Sequence, residues 1–433
     1  MTNIIKSSKH ETKFSNADKL EKLGCLIDES RRVIQLMVDD IWINGYEWVD
    51  TSTGEVKKFS VSENQLEFPK YIDYKRFGIE TTLTARMLSS LATQVCGIIK
   101  ASTEKQRKRL YTFHKRKCSG ESKVRLENLI KKIKQNIPQK PNCSRINIEV
   151  SSKCSDWEES SEHFWGYLRL KSVFGDRTEI KIPIKRHRHS KKLESKGTMM
   201  TSFLISKKYV NIRWKIEKPE TKQDGEILGC DQGFKDVATF SNGTTTPKQD
   251  IHGHTLESIL RSMSRKKKGS KAMKRAQAHR TNYVNWSINQ MDFSDVGEVR
   301  LEEIHNIGYR TKQSRLMSHW TNTTIRDKIE SKCEEEGIRL IHQSSTYRSQ
   351  RCSCCGVVRK ANRKGKIYKC KHCSLEIDAD LNASLNHVAN LPEIPYTLRE
   401  LKLNRGDGFL WLETGFYDFS TGRSLESLPH VEE

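Results

Sequence analysis

The chain has 433 residues, and its 77 Lys and Arg against 54 Asp and Glu give a formal net charge of +23 at neutral pH. That length suits two to four domains with real cores, and no apolar run reaches the ~20 residues of a membrane span. The N-terminus MTNIIKSSKHETKF has no signal-peptide pattern, so a soluble, cytoplasmic protein without a membrane partner is expected, and the twelve cysteines do not read as a disulfide framework.

The first 20 residues are polar and supply one short strand. From 21 to 137 the pattern is helical: Leu23, Leu26, Ile27, Val33, Ile34, Met37 and Val38 recur at three- and four-residue spacing. A second helix runs from an apolar start at IETTL into the basic KQRKRLYTFHKRK (105–117). Strand texture follows in INIEVS, HFWGYLRLKSVF, EIKIPIK and MTSFLISKKYVNIRWKIEK, which alternate apolar and polar residues and predict a small barrel or sandwich. A helical block followed by a strand block argues for two modules. From 226 onward strands and helices mix, with EILGCDQ and GEVRLEE as strands and TTIRDKIESKCEEEGIRLIHQ as an amphipathic helix and strand.

The positive charge is clustered. The stretches 105–117, 185–192 (KRHRHSKK) and 265–280 (RKKKGSKAMKRAQAHR) form a field that favours a polyanion. Candidate phosphate contacts are Arg107, Lys108, Arg109, Lys115, Arg116, Lys185, Arg186, Arg188, Arg265, Lys266, Lys267, Lys274 and Arg275, with Arg348, Arg359 and Lys364 further on. Tyr111, Phe113, Trp165, Tyr167, Trp214 and Trp286 lie among these charges and could stack on bases, although core packing is expected for most of them.

Cys25, Cys96, Cys230 and Cys333 read as packing residues. Cys118, Cys143 and Cys154, with His114 nearby, could make a metal site, but their spacing is irregular. Cys352-x-x-Cys355-Gly356 and Cys370-x-x-Cys373 are a different matter. Each CxxC turn aims two thiolates at one ion, and four sulfurs close a structural zinc site with no open position. Cys354 is the spare. Arg359, Lys360, Arg363, Lys364 and Lys366 between the two turns suggest that the loop also touches phosphate.

Three acids stand where chemistry is expected. Asp231 ends the strand ILGC beside Gly233, Glu302 ends the strand VRL, and Asp380 begins a helix. In that helix Leu381, Leu385 and Val388 are expected on the buried face, with Asp380, Ser384 and His387 outward. Oxygen ligands from three elements suit magnesium, and two such ions serve in-line displacement at phosphorus.

The succession GCDQGFKDVATFSNG, VRLEEI, EEEGIRLI, STYRSQRCSCCG, YKCKHC and DADLNAS resembles the RuvC nuclease domain of the transposon-encoded TnpB proteins and the miniature type V CRISPR effectors, over about 226–390. The resemblance implies a multidomain α+β protein: a helical recognition domain, a small β-barrel wedge domain, and an RNase H-like (RuvC) α/β nuclease domain with an inserted zinc ribbon. The boundaries it implies are 1–20 for an N-terminal wedge strand, 21–143 for recognition and 144–225 for the wedge. Nuclease parts follow at 226–346 and 376–395, flanking a ribbon at 347–375 that binds target nucleic acid, and 396–433 is a tail matching nothing. It implies catalytic acids at Asp231, Glu302 and Asp380 holding two magnesium ions, and one zinc on Cys352, Cys355, Cys370 and Cys373. The implied partners are a guide RNA and double- and single-stranded target DNA, with one protein copy or a homodimer on a single guide left open, as are CRISPR defence and transposon origins.

Departures from the family pattern are Gln232 where an apolar residue is commoner, YRSQ in place of Tyr-Thr-Ser-Gln, and the pair Glu302-Glu303, whose register the strand pattern alone leaves open. Three other readings compete: a nuclease-inactive RNA-guided DNA-binding protein, a zinc-ribbon nucleic-acid binder without guide, and a structure-directed resolvase.

Overall fold

The computed structural model describes residues 3–120, 122–160, 163–304, 314–320, 322–399, 401–412 and 415–425, so the last part of the 396–433 tail, from 426, lies outside the described residues. The chain divides into two compact units, Met1–Glu217 and Lys218–Glu433.

In the first unit a long helix, Ala17–Asn44, starts where the Asn16 side chain accepts a hydrogen bond from the Lys19 amide. It buries the stripe Leu23, Leu26, Ile27, Val33, Ile34, Met37, Val38 and Ile41. Cys25 falls between these positions and is exposed, so it is not the packing residue expected. A second helix, Ala85–Cys118, is capped by Thr84, buries its apolar first half, and ends on Lys115, Arg116 and Lys117, whose charge complements the helix C-terminus. Between the two helices lies an antiparallel hairpin, Tyr46–Val49 with Val56–Phe59, inside a region that read as helical. Its turn is held by Asp50, whose carboxylate accepts from the Ser52 amide and hydroxyl, and by Gly54 at a φ of 72°.

The strands of this unit do not close into a barrel. Among the described residues, the strands outside the 46–59 hairpin form two open antiparallel sheets, one ordered Asn3–Glu11, Tyr209–Glu217, Gly197–Ile205, Ile148–Val150, the other Ser155–Glu159, Gly166–Leu170, Ile180–Ile184. The barrel expectation fails because helices cover these strands: Ala17–Asn44 packs on Ile180–Ile184, and Ala85–Cys118 packs on Ile148–Val150. A sheet whose apolar face is already buried by helices gains little from closing on itself. Helices and sheets accordingly share one continuous core, from Leu23 to Trp214.

The second unit is built on a mixed sheet ordered Ala238–Phe240, Glu226–Gln232, Val296–Glu303, Arg339–Ser344. The last three strands are parallel, and the first is an antiparallel edge. Leu228, Cys230, Val299 and Leu301 turn to one face, where they pack with Ile259, Leu260, Val284, Ile325 and Ile329 of the helices Leu256–Ser264, Lys271–Asn289 and Asn322–Glu336. By the two-residue alternation of a strand, Gly229, Asp231, Arg300 and Glu302 turn to the opposite face. A short helix, Ala379–Leu385, covers that face.

The tail has a structural place. Phe409–Leu412, Gly415–Asp418 and Arg423–Leu425 extend a sheet that begins with Val357–Val358, and Phe409 and Phe416 join a small core with Tyr347, Val358, Ile394 and Leu398.

Candidate functional site

The two CxxC turns meet. All four Sγ atoms of Cys352, Cys355, Cys370 and Cys373 lie within 4.8 Å of one another, with Cys352 3.6 Å from Cys373 and Cys355 3.7 Å from Cys370. Four sulfurs around one zinc at about 2.3 Å would sit about 3.8 Å apart, so the donor set and its spacing fit a tetrahedral ion. Each turn is closed the same way: the Gly356 amide bonds the Cys352 carbonyl, and the Ser374 amide bonds the Cys370 carbonyl. Both residues are left-handed, at φ 77° and 59°, which glycine adopts freely and serine does at a cost. Cys354 is exposed, as a spare would be. The trio Cys118, Cys143 and Cys154 does not gather: Cys118 is exposed at a helix end, the other two are buried in the core, and no such group appears among the described residues.

The register of the mixed sheet pairs Cys230 with Leu301, which sets Asp231 beside Glu302 at the carboxyl ends of parallel strands. The Gln232 side chain donates to the Glu302 carbonyl at 3.0 Å and ties the two strands together at this edge. Asp380 reaches the same edge from the helix Ala379–Leu385, whose first amides are capped by Asp378. Burial pushes the Asp231 carboxyl well above the usual carboxylate range, and the charges of Glu302 and Asp380 push it further, against Arg363 and Lys366. Glu302 is pushed up to about 7 by burial, against Arg348, Arg399 and Arg363. An all-oxygen donor set of this kind suits magnesium.

The close approach of helix to strand depends on Gly229. A Cβ there would run into the Ser384 carbonyl oxygen and lie 2.8 Å from the His387 Cβ. Backbone cannot rotate away as a side chain can, so Gly229→Ala should cost about 1–3 kcal/mol and shift Asp380 relative to Asp231. Melting and cleavage should both fall in this variant. Wild-type values for both would show that the glycine does not set the separation of the acids.

The Asp380 helix packs the other way round from expectation. Asp380, Asn382, Ser384, Asn386 and His387 are buried, whereas Leu381, Leu385 and Val388 are partly exposed. Polar burial wins because nearly every group finds a partner. Asn382 Nδ2 donates to the Arg351 carbonyl, Asn386 Nδ2 donates to the Arg348 and Arg351 carbonyls, and the Ser353 amide donates to Asn382 Oδ1. His387 Nδ1 lies 2.9 Å from Gln343 Oε1, and burial with nearby Arg348 and Arg300 drives its pKa far down, so the ring is neutral.

Asp380 itself has partners that sequence reading assigned only to phosphate. Arg363 donates to its Oδ1 at 2.7 Å, and Lys366 bonds its Oδ2 while also reaching Asp236 at 2.6 Å. Both bases come from the short hairpin of Arg363–Lys364 and Ile367–Lys369 between the CxxC turns. So held, the three carboxylates do not close to the spacing the four sulfurs reach. The signal for this contact was present as basic residues in the loop, but its target lies in the following helix.

The remaining basic candidates fall into two kinds. Lys108, Lys115, Arg116, Lys185, Arg186, Arg188, Arg265, Lys267, Lys274, Arg275 and Lys364 are exposed, and Arg107, Arg109 and Lys266 are partly so. Lys185 lies over the Phe14 ring and Arg186 over Trp165, which stacks on the buried Trp214. Arg348 and Arg359 are turned inward. Arg348 donates to the Ser344 and Asn386 carbonyls and meets Glu393, and Arg359 donates to the Gly406 carbonyl.

The raised carboxyls have a stability consequence with a definite sign. The folded protein holds the Glu302 proton up to about pH 7, whereas the unfolded chain releases it near 4.5. Its stabilising contribution is therefore complete below pH 4.5 and is lost as pH rises through about 7, by up to about 3 kcal/mol. In magnesium-free buffer the melting temperature should fall over that window, and Glu302→Gln should flatten the slope. A chelator must be avoided because it would also strip the cysteine site. An unchanged slope in the variant would mean that Glu302 is not the group responsible.

The family model described as "Cas12f1-like, TNB domain" matches residues 323–387, a stretch that includes both CxxC turns and Asp380. The CRISPR-associated endodeoxyribonuclease Cas12f1 of Sulfoacidibacillus thermotolerans is 37% identical over 105 residues, 24% of this chain and 24% of that protein. Cas12f1 of Syntrophomonas palmitatica is 28% identical over 122 residues, 28% of this chain and 24% of that protein. The matched stretch thus spans about a quarter of the length of these curated relatives. The solved structure of the mini-RNA-guided endonuclease CRISPR-Cas_phi3 aligns with a TM-score of 0.50 at 9% identity, covering 89% of this chain and 92% of that one, a likeness of fold. The expected resemblance to miniature type V CRISPR effectors is thus borne out over the stretch that the Cas12f1-like family model and the Cas12f1 relatives match.

Proposed function

We propose that the protein is an RNA-guided DNA endonuclease whose single cutting site is the sheet edge bearing Asp231, Glu302 and Asp380. The observation that carries this reading is the gathering of two proton-retaining carboxyls, Asp231 and Glu302, at the carboxyl ends of neighbouring parallel strands, with Asp380 brought to them by a helix laid on Gly229. The three acids would hold magnesium, which when bound supplies Lewis acidity for phosphodiester hydrolysis. Arg363 and Lys366 neutralise Asp380 and would yield one of its oxygens when that cation enters. Cys352, Cys355, Cys370 and Cys373 would hold one zinc that folds the hairpin carrying these two bases.

On this reading the mixed sheet is the RuvC part, 347–375 is the ribbon inserted in it, and 1–225 provides recognition and wedge functions without a barrel. The exposed bases of Ala85–Cys118, Arg188–Glu194 and Lys271–Asn289 would neutralise guide and target phosphates, while base pairing with the guide supplies sequence choice. The test is to purify the protein from cells carrying its own locus, sequence any RNA that stays bound, and offer DNA matching that RNA. A bound RNA of defined sequence with magnesium-dependent cutting of the matched DNA is expected, and a repeat-derived RNA would mark a CRISPR origin rather than a transposon one. Bound RNA without cutting would support the nuclease-inactive reading. Neither RNA nor cutting would leave a zinc-ribbon binder.

A further inference from the structure

Besides the four cysteines, one other group of described residues brings metal-ligating atoms together. Asp250, His254 and His279 offer a carboxylate oxygen and two ring nitrogens, all within 4.8 Å of one another. Asp250 and His254 come from the turn DIHGHT, and His279 comes from the middle of the helix Lys271–Asn289. The turn is built to present them. Asp250 Oδ1 accepts from the His252 and His254 amides, each at 2.9 Å, and Gly253 at φ 75° lets the chain fold back. That leaves Asp250 Oδ2 facing His254 Nδ1 at 3.2 Å. The His254 and His279 rings meet edge to face with centroids 4.8 Å apart.

Helix and turn are already fastened one helical turn further on. The Tyr283 hydroxyl, four residues after His279 and on the same helix face, lies 3.1 Å from the Lys248 carbonyl oxygen. His279 is thus held near the turn by a bond that none of the three residues makes.

We infer that Asp250, His254 and His279 bind a divalent transition-metal ion of the zinc class, with water completing its coordination. Two imidazoles and one carboxylate suit zinc, cobalt or nickel and are poor company for magnesium, so this site and the acid edge select different ions. The ion would staple the 247–254 turn to a basic helix, one turn beyond Arg275. This inference is independent of whether the acid edge cuts DNA.

The test uses the full chain, dialysed against free Zn2+ and analysed for metal content by atomic emission. Two zinc ions per chain are expected, one on the cysteines and one here. His279→Ala should retain only the cysteine-bound ion. Asp250→Asn, whose amide oxygen can still accept the two turn amides, should weaken the second ion about tenfold or more while leaving the first in place. Added Zn2+ should raise the melting temperature of the wild type above that of His279→Ala. One zinc in the wild type would overturn the inference, and so would two zincs in His279→Ala.

Discussion

Asp231→Ala should reduce magnesium-dependent cleavage by about a thousandfold or more while guide and target binding survive. The carboxylate sits at the end of an apolar strand and is none of the exposed bases, so on the proposed function its loss would remove an ion ligand and leave those bases in place. The same substitution should not destabilise the metal-free protein, and melting should hold or rise, because the wild-type carboxyl is buried beside Glu302 and Asp380. Cleavage assays at several magnesium concentrations, filter binding and thermal melts separate these effects. Binding and cutting lost together would mean that Asp231 has a structural role, and cutting retained would remove the proposed site altogether.

Cys370→Ser should act through folding. The loop between the CxxC turns has a small core, Cys352, Tyr368, Cys370 and Ala379 with a few partly buried neighbours, too little to hold it without the ion. Its last strand, Glu376–Asp378, runs straight into the Asp380 helix, and Ser353 and Arg351 bond that helix through Asn382. Losing zinc should therefore loosen both the helix and the Arg363–Lys366 grip, with a lower melting temperature and lost cleavage together. Metal analysis, melting and limited proteolysis across 351–380 would show it. A variant with its zinc and its wild-type melting temperature would mean that Cys370 is not a ligand.

These two expectations differ because one residue serves charge and the other serves folding, and that difference was partly legible beforehand. The cysteine spacing named its own chemistry, since a CxxC turn is local and needs no distant partner to be recognised. Whether Glu302 or Glu303 meets Asp231 was not local. The pairing of Cys230 with Leu301 decided it.

The misreadings share a cause. The Asp380 helix looked amphipathic through Leu381, Leu385 and Val388, but carbonyls of Arg348 and Arg351, far away in sequence, made the polar face the buried one. The hairpin at 46–59 is hidden within a helical periodicity because Asp50 and Gly54 act through turn chemistry that periodicity does not register. Strand pattern alone predicts a barrel, but helices take the faces that closure would bury.

Residue types and their spacing set out the ingredients of this protein's chemistry: four thiols at ligand spacing, acids at strand ends, and bases in excess. Tertiary structure decided which groups meet: Asp231 with Glu302, Asp380 with Arg363 and Lys366, and His279 with the Asp250 turn. Residue type and short-range periodicity are properties of the chain, whereas partnership depends on contacts between elements brought together only when their apolar faces are buried.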